Sequence, residues 1–416
     1  MSSFPIEFVR SSFPGLSRKK DGRGVIFFDG PGGSQVPRVV SETVSDYLLN
    51  QNANTGMAFD TSLETDRIIG DALDSAADFI GCTDSREIVF GQNMTSLNIQ
   101  LASALSKTWG PGDEVVVTEM DHDGNVRPWV LAAEWAGAKI RKIRIDPKDC
   151  TLDFSSIEEV INDSTVMVAV GAASNLSGTI NDVKKISSIA HQYGSEVVVD
   201  AVHYAPHNLI DVKEIGCDYL LCSSYKFFGP HQGMLWGNYQ RMSELPVAKL
   251  RASSEEMPFR WMTGTQSHEG MAGTMAAIDY IAGISKMISG KEPKNRRSAL
   301  IEAYQAIEEY ENQMSDRLIR GLVGIRDLKI WGITDLGKLD YRTPTVSFTH
   351  PKKNATQIGL ELAERGIFVW SGNFYAIEMT EALGLEPEGV LRVGLLHYNT
   401  IEEVDLFLEA LRAILS

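Results

Sequence analysis

Tyr219-Leu-Leu-Cys-Ser-Ser-Tyr-Lys226-Phe-Phe-Gly-Pro-His-Gln-Gly233 opens as a strand, breaks at Gly229-Pro230 and carries a lysine in the turn between. The apolar run Tyr219 to Cys222 predicts a buried strand, and Met234 to Trp236 predicts another directly after the turn. Similar runs precede the stretch: Glu114 to Thr118, Ile140 to Ile145, Val166 to Val170 and Glu196 to Val199. Helix-like segments separate most of them. β-Branched, nearly continuous apolar strands alternating with helices predict an α/β chain whose mainly parallel sheet is buried on both faces. This pattern covers roughly residues 20–285.

Beyond it, helical spacing from Ala299 to Leu322 is followed by strand-like Thr343 to Phe348, Ile367 to Trp370 and Val390 to Gly394, then by a closing helix over Ile401 to Leu415. Ser289-Gly-Lys-Glu-Pro293 interrupts the periodicity. The expected division is a large domain over 20–288 and a smaller C-terminal α/β domain over 289–416, joined by 1–19. A chain of 416 residues that is 43% hydrophobic is long enough for two such units. Its charge of -16, from 55 acidic and 39 basic residues spread along the chain, favours solubility and speaks against a nucleic-acid partner. No apolar run approaches the roughly 20 residues of a membrane span. Met1-Ser-Ser-Phe-Pro-Ile-Glu-Phe8 has no basic segment leading into an apolar one, so a cytoplasmic protein is expected. Cys82, Cys150, Cys217 and Cys222 suggest neither a disulfide framework nor a metal site.

A crowded ammonium such as Lys226 loses its proton readily, and a neutral amine forms a Schiff base with an aldehyde. Pyridoxal 5'-phosphate (PLP) is the aldehyde that suits the neighbouring segments. Phe90-Gly-Gln-Asn-Met-Thr-Ser96 follows a strand and opens a helix, whose first amides and Thr95 hydroxyl suit a phosphate. Val197-Val-Val-Asp200-Ala-Val-His203 ends a β-branched run on an aspartate, whose carboxylate needs a partner such as a pyridinium nitrogen. Ser174-Asn175-Leu-Ser-Gly178 offers an amide to a phenolate oxygen. Each segment taken alone also fits a plainer role as helix cap, strand-end cap or turn.

Their order gives more. Met120-Asp-His-Asp-Gly-Asn125-Val-Arg-Pro-Trp129, Ser174-Asn175, Asp200-Ala-Val-His203, Ser223-Ser-Tyr-Lys226 with Gly229-Pro230, Gly264-Thr265, and Arg392 ahead of Tyr398-Asn-Thr400 run in sequence over nearly the whole chain. In this the chain resembles the class V aminotransferase family of fold-type I PLP enzymes, and within it the cysteine desulfurase-like branch. The resemblance implies Lys226 as the Schiff-base lysine, Asp200 at the pyridine nitrogen, and Asn175 with His203 near the ring hydroxyl. It implies phosphate contacts from Met94, Thr95, Ser223 and Tyr225, the last standing where a histidine is usual. Thr265 would reach over from a second subunit, which makes a homodimer with a shared active site. Arg392 falls on the arginine that holds the α-carboxylate of a small amino-acid substrate, a task for a planar two-pronged donor. Asn125 belongs to the same substrate side.

Two departures stand out. Tyr375, in Val369-Trp-Ser-Gly-Asn-Phe-Tyr375-Ala376, occupies the position of the desulfurases' loop cysteine, which argues against persulfide transfer. Asp123 aligns with the histidine that stacks on the cofactor ring; either another residue covers the ring, or the register slips by one and His122 stacks and acts as acid or base. Tyr375, Phe374, Trp370 and Trp129 wall the substrate side or pack in the core. The expected activity is proton removal from a small amino acid by Lys226, leading to elimination or replacement at the β- or γ-carbon. Transamination, epimerisation and carbon–carbon bond formation use the same residues. A non-catalytic relative would have no need of Lys226, Asp200 and Arg392 together.

Overall fold

The computed structural model describes residues 4–416, so the first three residues of the 1–19 stretch lie outside it. Seven strands form the main sheet: β1 (Ile88–Gly91), β2 (Glu114–Thr118), β3 (Lys139–Ile143), β4 (Thr165–Gly171), β5 (Glu196–Asp200), β6 (Tyr219–Ser223) and β7 (Gly233–Gly237). Their order is β1-β7-β6-β5-β4-β2-β3, and β7 alone runs antiparallel to its neighbours. The expected α/β architecture is therefore observed. Val197, Val198 and Val199 are fully buried between helical layers, each contributing roughly 1.5–3 kcal/mol. The edge strand β3 is shorter than the expected Ile140 to Ile145. At Arg144 the chain leaves the sheet, its amide bonding the Ser156 hydroxyl and its carbonyl accepting from Asp153, before Ile145–Asp146 starts a separate hairpin with Thr151–Leu152.

A second, antiparallel sheet is built from β8 (Lys329–Trp331), β9 (Thr345–Thr349), β10 (Trp370–Gly372) and β11 (Val390–Gly394), in the order β8-β9-β11-β10. The strand expected from Thr343 begins only at Thr345, because Pro344 has no amide to donate. Thr343 bonds instead to the Gly178 carbonyl, and the buried Arg342 guanidinium donates to the carbonyls of Ile333, Ser177 and Thr345. These bonds tie the Asn175 loop to the second sheet.

Two helices matter for the site. α1 (Met94–Leu105) starts in a reciprocal cap: Asn93 accepts from the Ser96 amide at 2.9 Å, and the Ser96 hydroxyl accepts from the Asn93 amide at 3.2 Å. α2 (Arg296–Val323) spans both cores. Its Leu300, Tyr304 and Ile307 pack with the main sheet, while its Met314, Leu318 and Leu322 pack with Val346, Leu391 and Phe407. At the other end of the chain, Val9 and Phe13 join the first core and Ile26 and Phe28 the second. Among the described residues no helix is long and apolar enough to cross a membrane.

Candidate active site

The carboxyl ends of β1, β4, β5 and β6 share one edge of the sheet, the place where open parallel sheets gather ligands. β7 starts at that edge, since Gly233 pairs with both Ser223 and Gly91. Above it, between the two sheets, lies a cavity of about 890 Å³. Eleven sequence-expected residues line it: Met94, Thr95, His122, Asn175, Asp200, His203, Ser223, Tyr225, Lys226, Tyr375 and Arg392.

Lys226 ends the single 3₁₀ turn, Ser224–Lys226, that directly follows β6. Its Nζ donates to the Pro31 carbonyl and lies 4.8 Å from the centre of the Tyr225 ring. Removal from water, helped by the positive charge of Arg392 and opposed by Asp200, brings its pKa down to about 7. A substantial fraction is therefore the neutral, nucleophilic amine near pH 7.

Asp200 ends β5 with one carboxylate oxygen accepting from the Val202 amide at 2.8 Å. Burial raises its pKa to about 6. Behind it Asp121, buried and raised to about 7 by burial, accepts from the Gly171 amide and from Asn125 Nδ2, each at 2.9 Å. His122 Nδ1 accepts from the Gly124 amide at 2.9 Å, which leaves the ring proton on Nε2. Burial, with Lys226 and Arg392 close by, lowers this imidazole to about 4, so it is neutral at physiological pH. His203 Nε2 meets the Thr343 hydroxyl at 3.2 Å. Asn175 donates from Nδ2 to the Phe374 carbonyl at 2.9 Å, while its Oδ1 is buried with no partner among the described residues.

Arg392 comes from β11, 4% exposed, and burial lowers it to about 9, still cationic at neutral pH. It donates to the Asn175 carbonyl at 2.8 Å, and its guanidinium carbon lies 3.7 Å above the Phe374 ring centre. Phe374 and Tyr375 both take left-handed backbone angles, φ 56° and 59°. The strain of two such non-glycine residues is held by bonds to their carbonyls, from Asn175 to Phe374 and from the Asp123 amide to Tyr375 at 2.7 Å. Tyr375 is 66% exposed at the cavity mouth, its ring centre 5.4 Å from that of His122.

Three expected residues lie elsewhere. In the 3₁₀ turn capped by His122, Asp123 stays out of the cavity lining, so it is His122 that faces the cavity. Asn125 is fully buried, held by Asp121, Asn98 and Trp129, and does not reach the substrate side. Trp129 is core as well, whereas Trp370 and Phe374 do line the cavity. Thr265 lines a neighbouring cavity of about 420 Å³ that shares Gln92 and His231 with the first. Gln92, Asp121 and His231 were not legible as site residues. Gln92 belongs to the Phe90–Ser96 stretch, but only the tertiary pairing of β7 with β1 brings His231 beside it.

With this geometry in view, comparison with known proteins is decisive. The profile of the family described as Aminotransferase class-V matches residues 26–407. The chain belongs to that family. It is 33% identical over 424 residues to the aminotransferase-like protein FGM3 of Gibberella zeae, covering 100% of this chain and 99% of the relative. It is 28% identical to a probable cysteine desulfurase of Synechocystis, covering 97% of this chain and 94% of that one. The apo structure of the cysteine desulfurase from Thermococcus onnurineus superimposes with a TM-score of 0.87 at 27% identity, over 100% of this chain and 98% of the other. The chain is thus a PLP-dependent enzyme of the class-V aminotransferase, cysteine desulfurase-like kind. Its residues fit that group: a near-neutral lysine amine, a carboxylate with an open oxygen at a strand end, an orphaned Asn175 Oδ1 and a helix start lie around one cavity.

Asp200→Asn is expected to stabilise the cofactor-free protein at pH 7. Asp200 holds its proton more tightly folded than unfolded, so its ionisation costs stability as the pH rises from about 4 through 6. The neutral amide removes that cost, about 2–3 kcal/mol for a shift of two units. Calorimetry should show the variant melting higher at pH 7, with the gap closing as the pH is lowered towards 4.

Proposed function

We propose that the enzyme is a lyase acting on a small amino acid, eliminating or replacing a sulfur or related group at the β- or γ-carbon without a persulfide-carrying cysteine. The supporting observation is a cavity holding Lys226 and Arg392 with Tyr375 at its mouth and no cysteine in its lining. Cys82, Cys150, Cys217 and Cys222 are all buried, and burial pushes the thiols of Cys82 and Cys150 up to about 12, far from a reactive thiolate.

When bound, PLP supplies an electron sink for negative charge at the substrate α-carbon. Asp200 would hold a proton on the pyridine nitrogen, and Asn175 and His203 would flank the ring hydroxyl. Thr95, Ser223 and Tyr225 would hold the phosphate, with Met94 beside them, its amide bound to the Ser223 hydroxyl. Arg392 binds and orients the α-carboxylate through its free N–H groups. The neutral fraction of Lys226 Nζ, substantial near pH 7, takes the α-proton. His122 would cover the ring face as a neutral imidazole, and the Tyr375 hydroxyl would give a proton to the leaving group. Thr265 contributes from a second copy in a homodimer.

Transamination is the second reading, favoured by the aminotransferase-like name of the Gibberella relative. A cofactor absorbance changed by an amino donor alone and restored by a keto acid would select it; ammonia and keto acid accumulating without an acceptor select the lyase. Tyr375→Cys tests the loop directly. A protein persulfide is expected from L-cysteine in the variant only; a persulfide on a wild-type cysteine would sink the proposed mechanism.

A further inference from the structure

The phosphate end of the cavity lacks a cation. Gln92, Asn93, Met94, Thr95, Ser223 and Tyr225 surround the start of α1, and none carries a positive charge. The amides there are partly spent: Met94 donates to the Ser223 hydroxyl at 2.9 Å and Ser96 to Asn93, which leaves the Thr95 amide and the hydroxyls of Thr95, Ser223 and Tyr225, all uncharged donors. A phosphate ester brings about -1.5 to -2 charges near pH 7. A helix start offsets only a fraction of one. In the reading above Lys226 and Arg392 serve the aldehyde and the carboxylate.

His231 adds a donor at this end. The pairing of Gly233 with Gly91 lays the loop after Pro230 along the loop before α1. Gln232 Nε2 donates to the Gly91 carbonyl at 2.7 Å, and a Cβ added at Gly233 would meet the Asn93 backbone at 2.4 Å, so the two loops are in contact. The His231 imidazole lies flat on Tyr225, ring centres 4.9 Å apart and planes 14° from parallel, and lines the wall between the cavity and its 420 Å³ neighbour. Tyr225 holds the position where the resemblance expects an imidazole. The imidazole is present six residues later, stacked on that tyrosine.

We propose that His231 is a cofactor-binding residue whose imidazole, held by the Tyr225 ring at the wall of the cavity, donates a hydrogen bond to the phosphate of PLP. This inference rests on the PLP reading of the cavity. His231 is exposed, so its replacement removes little packing. Full-length protein stripped of cofactor is titrated with PLP and with pyridoxal, which lacks the phosphate, and binding is followed by visible absorbance. His231→Ala is expected to weaken PLP binding about tenfold, the size of a charge-assisted hydrogen bond, and to leave pyridoxal binding within about twofold. His231→Lys, which keeps an N–H donor, is expected to retain PLP affinity within about threefold. Equal weakening for both aldehydes, no weakening for PLP, or a lysine variant as weak as the alanine variant would overturn the proposal. Wild-type protein that bound no PLP would overturn the cavity reading itself, whereas wild-type binding without a phosphate-selective effect would overturn His231 alone.

Discussion

Lys226→Ala is expected to lower turnover by at least about 10⁴-fold, the largest effect of any single substitution in this enzyme. On the proposed mechanism two functions end together. The amine that links to the cofactor is lost, and so is the base at the substrate α-carbon, itself worth about 10²–10⁴. The site explains why no neighbour replaces it. His122 is lowered to about 4 and its Nδ1 is engaged by Gly124, while Asp200 and Asp121 are already committed to Val202, Gly171 and Asn125. The fold should tolerate the change, because the lysine amine makes its one bond to the Pro31 carbonyl and its burial disfavours its charge. Expected, then, is a folded cofactor-free protein that melts no lower than wild type, with no absorbance of lysine-linked cofactor and no turnover. Retention of more than a hundredth of wild-type turnover would place the base elsewhere.

Arg392→Ala is expected to cost about 2–5 kcal/mol in kcat/KM, roughly thirtyfold to several thousandfold, as for one lost partner of a buried charge pair. The guanidinium is fixed on three sides before any substrate arrives: the Asn175 carbonyl at 2.8 Å, the Phe374 ring at 3.7 Å and the charge of Asp29. Little side-chain freedom remains to be lost on binding, so the carboxylate meets a pre-set fork. Arg392→Lys keeps the charge without the fork and should fall between the two. The control is a pair of substrates. Wild type should prefer an amino acid over the corresponding amine without the carboxylate, and Arg392→Ala should abolish that preference. A variant with reduced activity but an intact preference would show that Arg392 does not read the carboxylate.

The parts of this molecule that were legible in sequence are those with a period. Val197-Val-Val and Tyr219 to Cys222 announce buried parallel strands because both faces are covered, and the bounds of Val390–Gly394 and Ile401–Leu415 coincide with their apolar patterns. Lys226, Asp200 and Arg392 share a cavity because strand ends converge, a property of the fold class. Turns have no period to read. One residue of register decides whether His122 or Asp123 faces inward, and the deciding contact is the Gly124 amide on His122 Nδ1. Asn125 resembles a substrate ligand in sequence, but Asp121, Asn98 and Trp129 consume its side chain. His231 is invisible for a different reason: it follows a proline in a loop, and only the antiparallel return of β7 against β1 carries it to the cavity.

The central claim is that Lys226 carries the cofactor. Borohydride reduction of the purified PLP-loaded protein, proteolysis and mass spectrometry locate the attachment directly. The pyridoxyl-phosphate group is expected on the peptide containing Lys226 and on no other; a modified peptide that excludes Lys226, or no modified lysine at all, would contradict it.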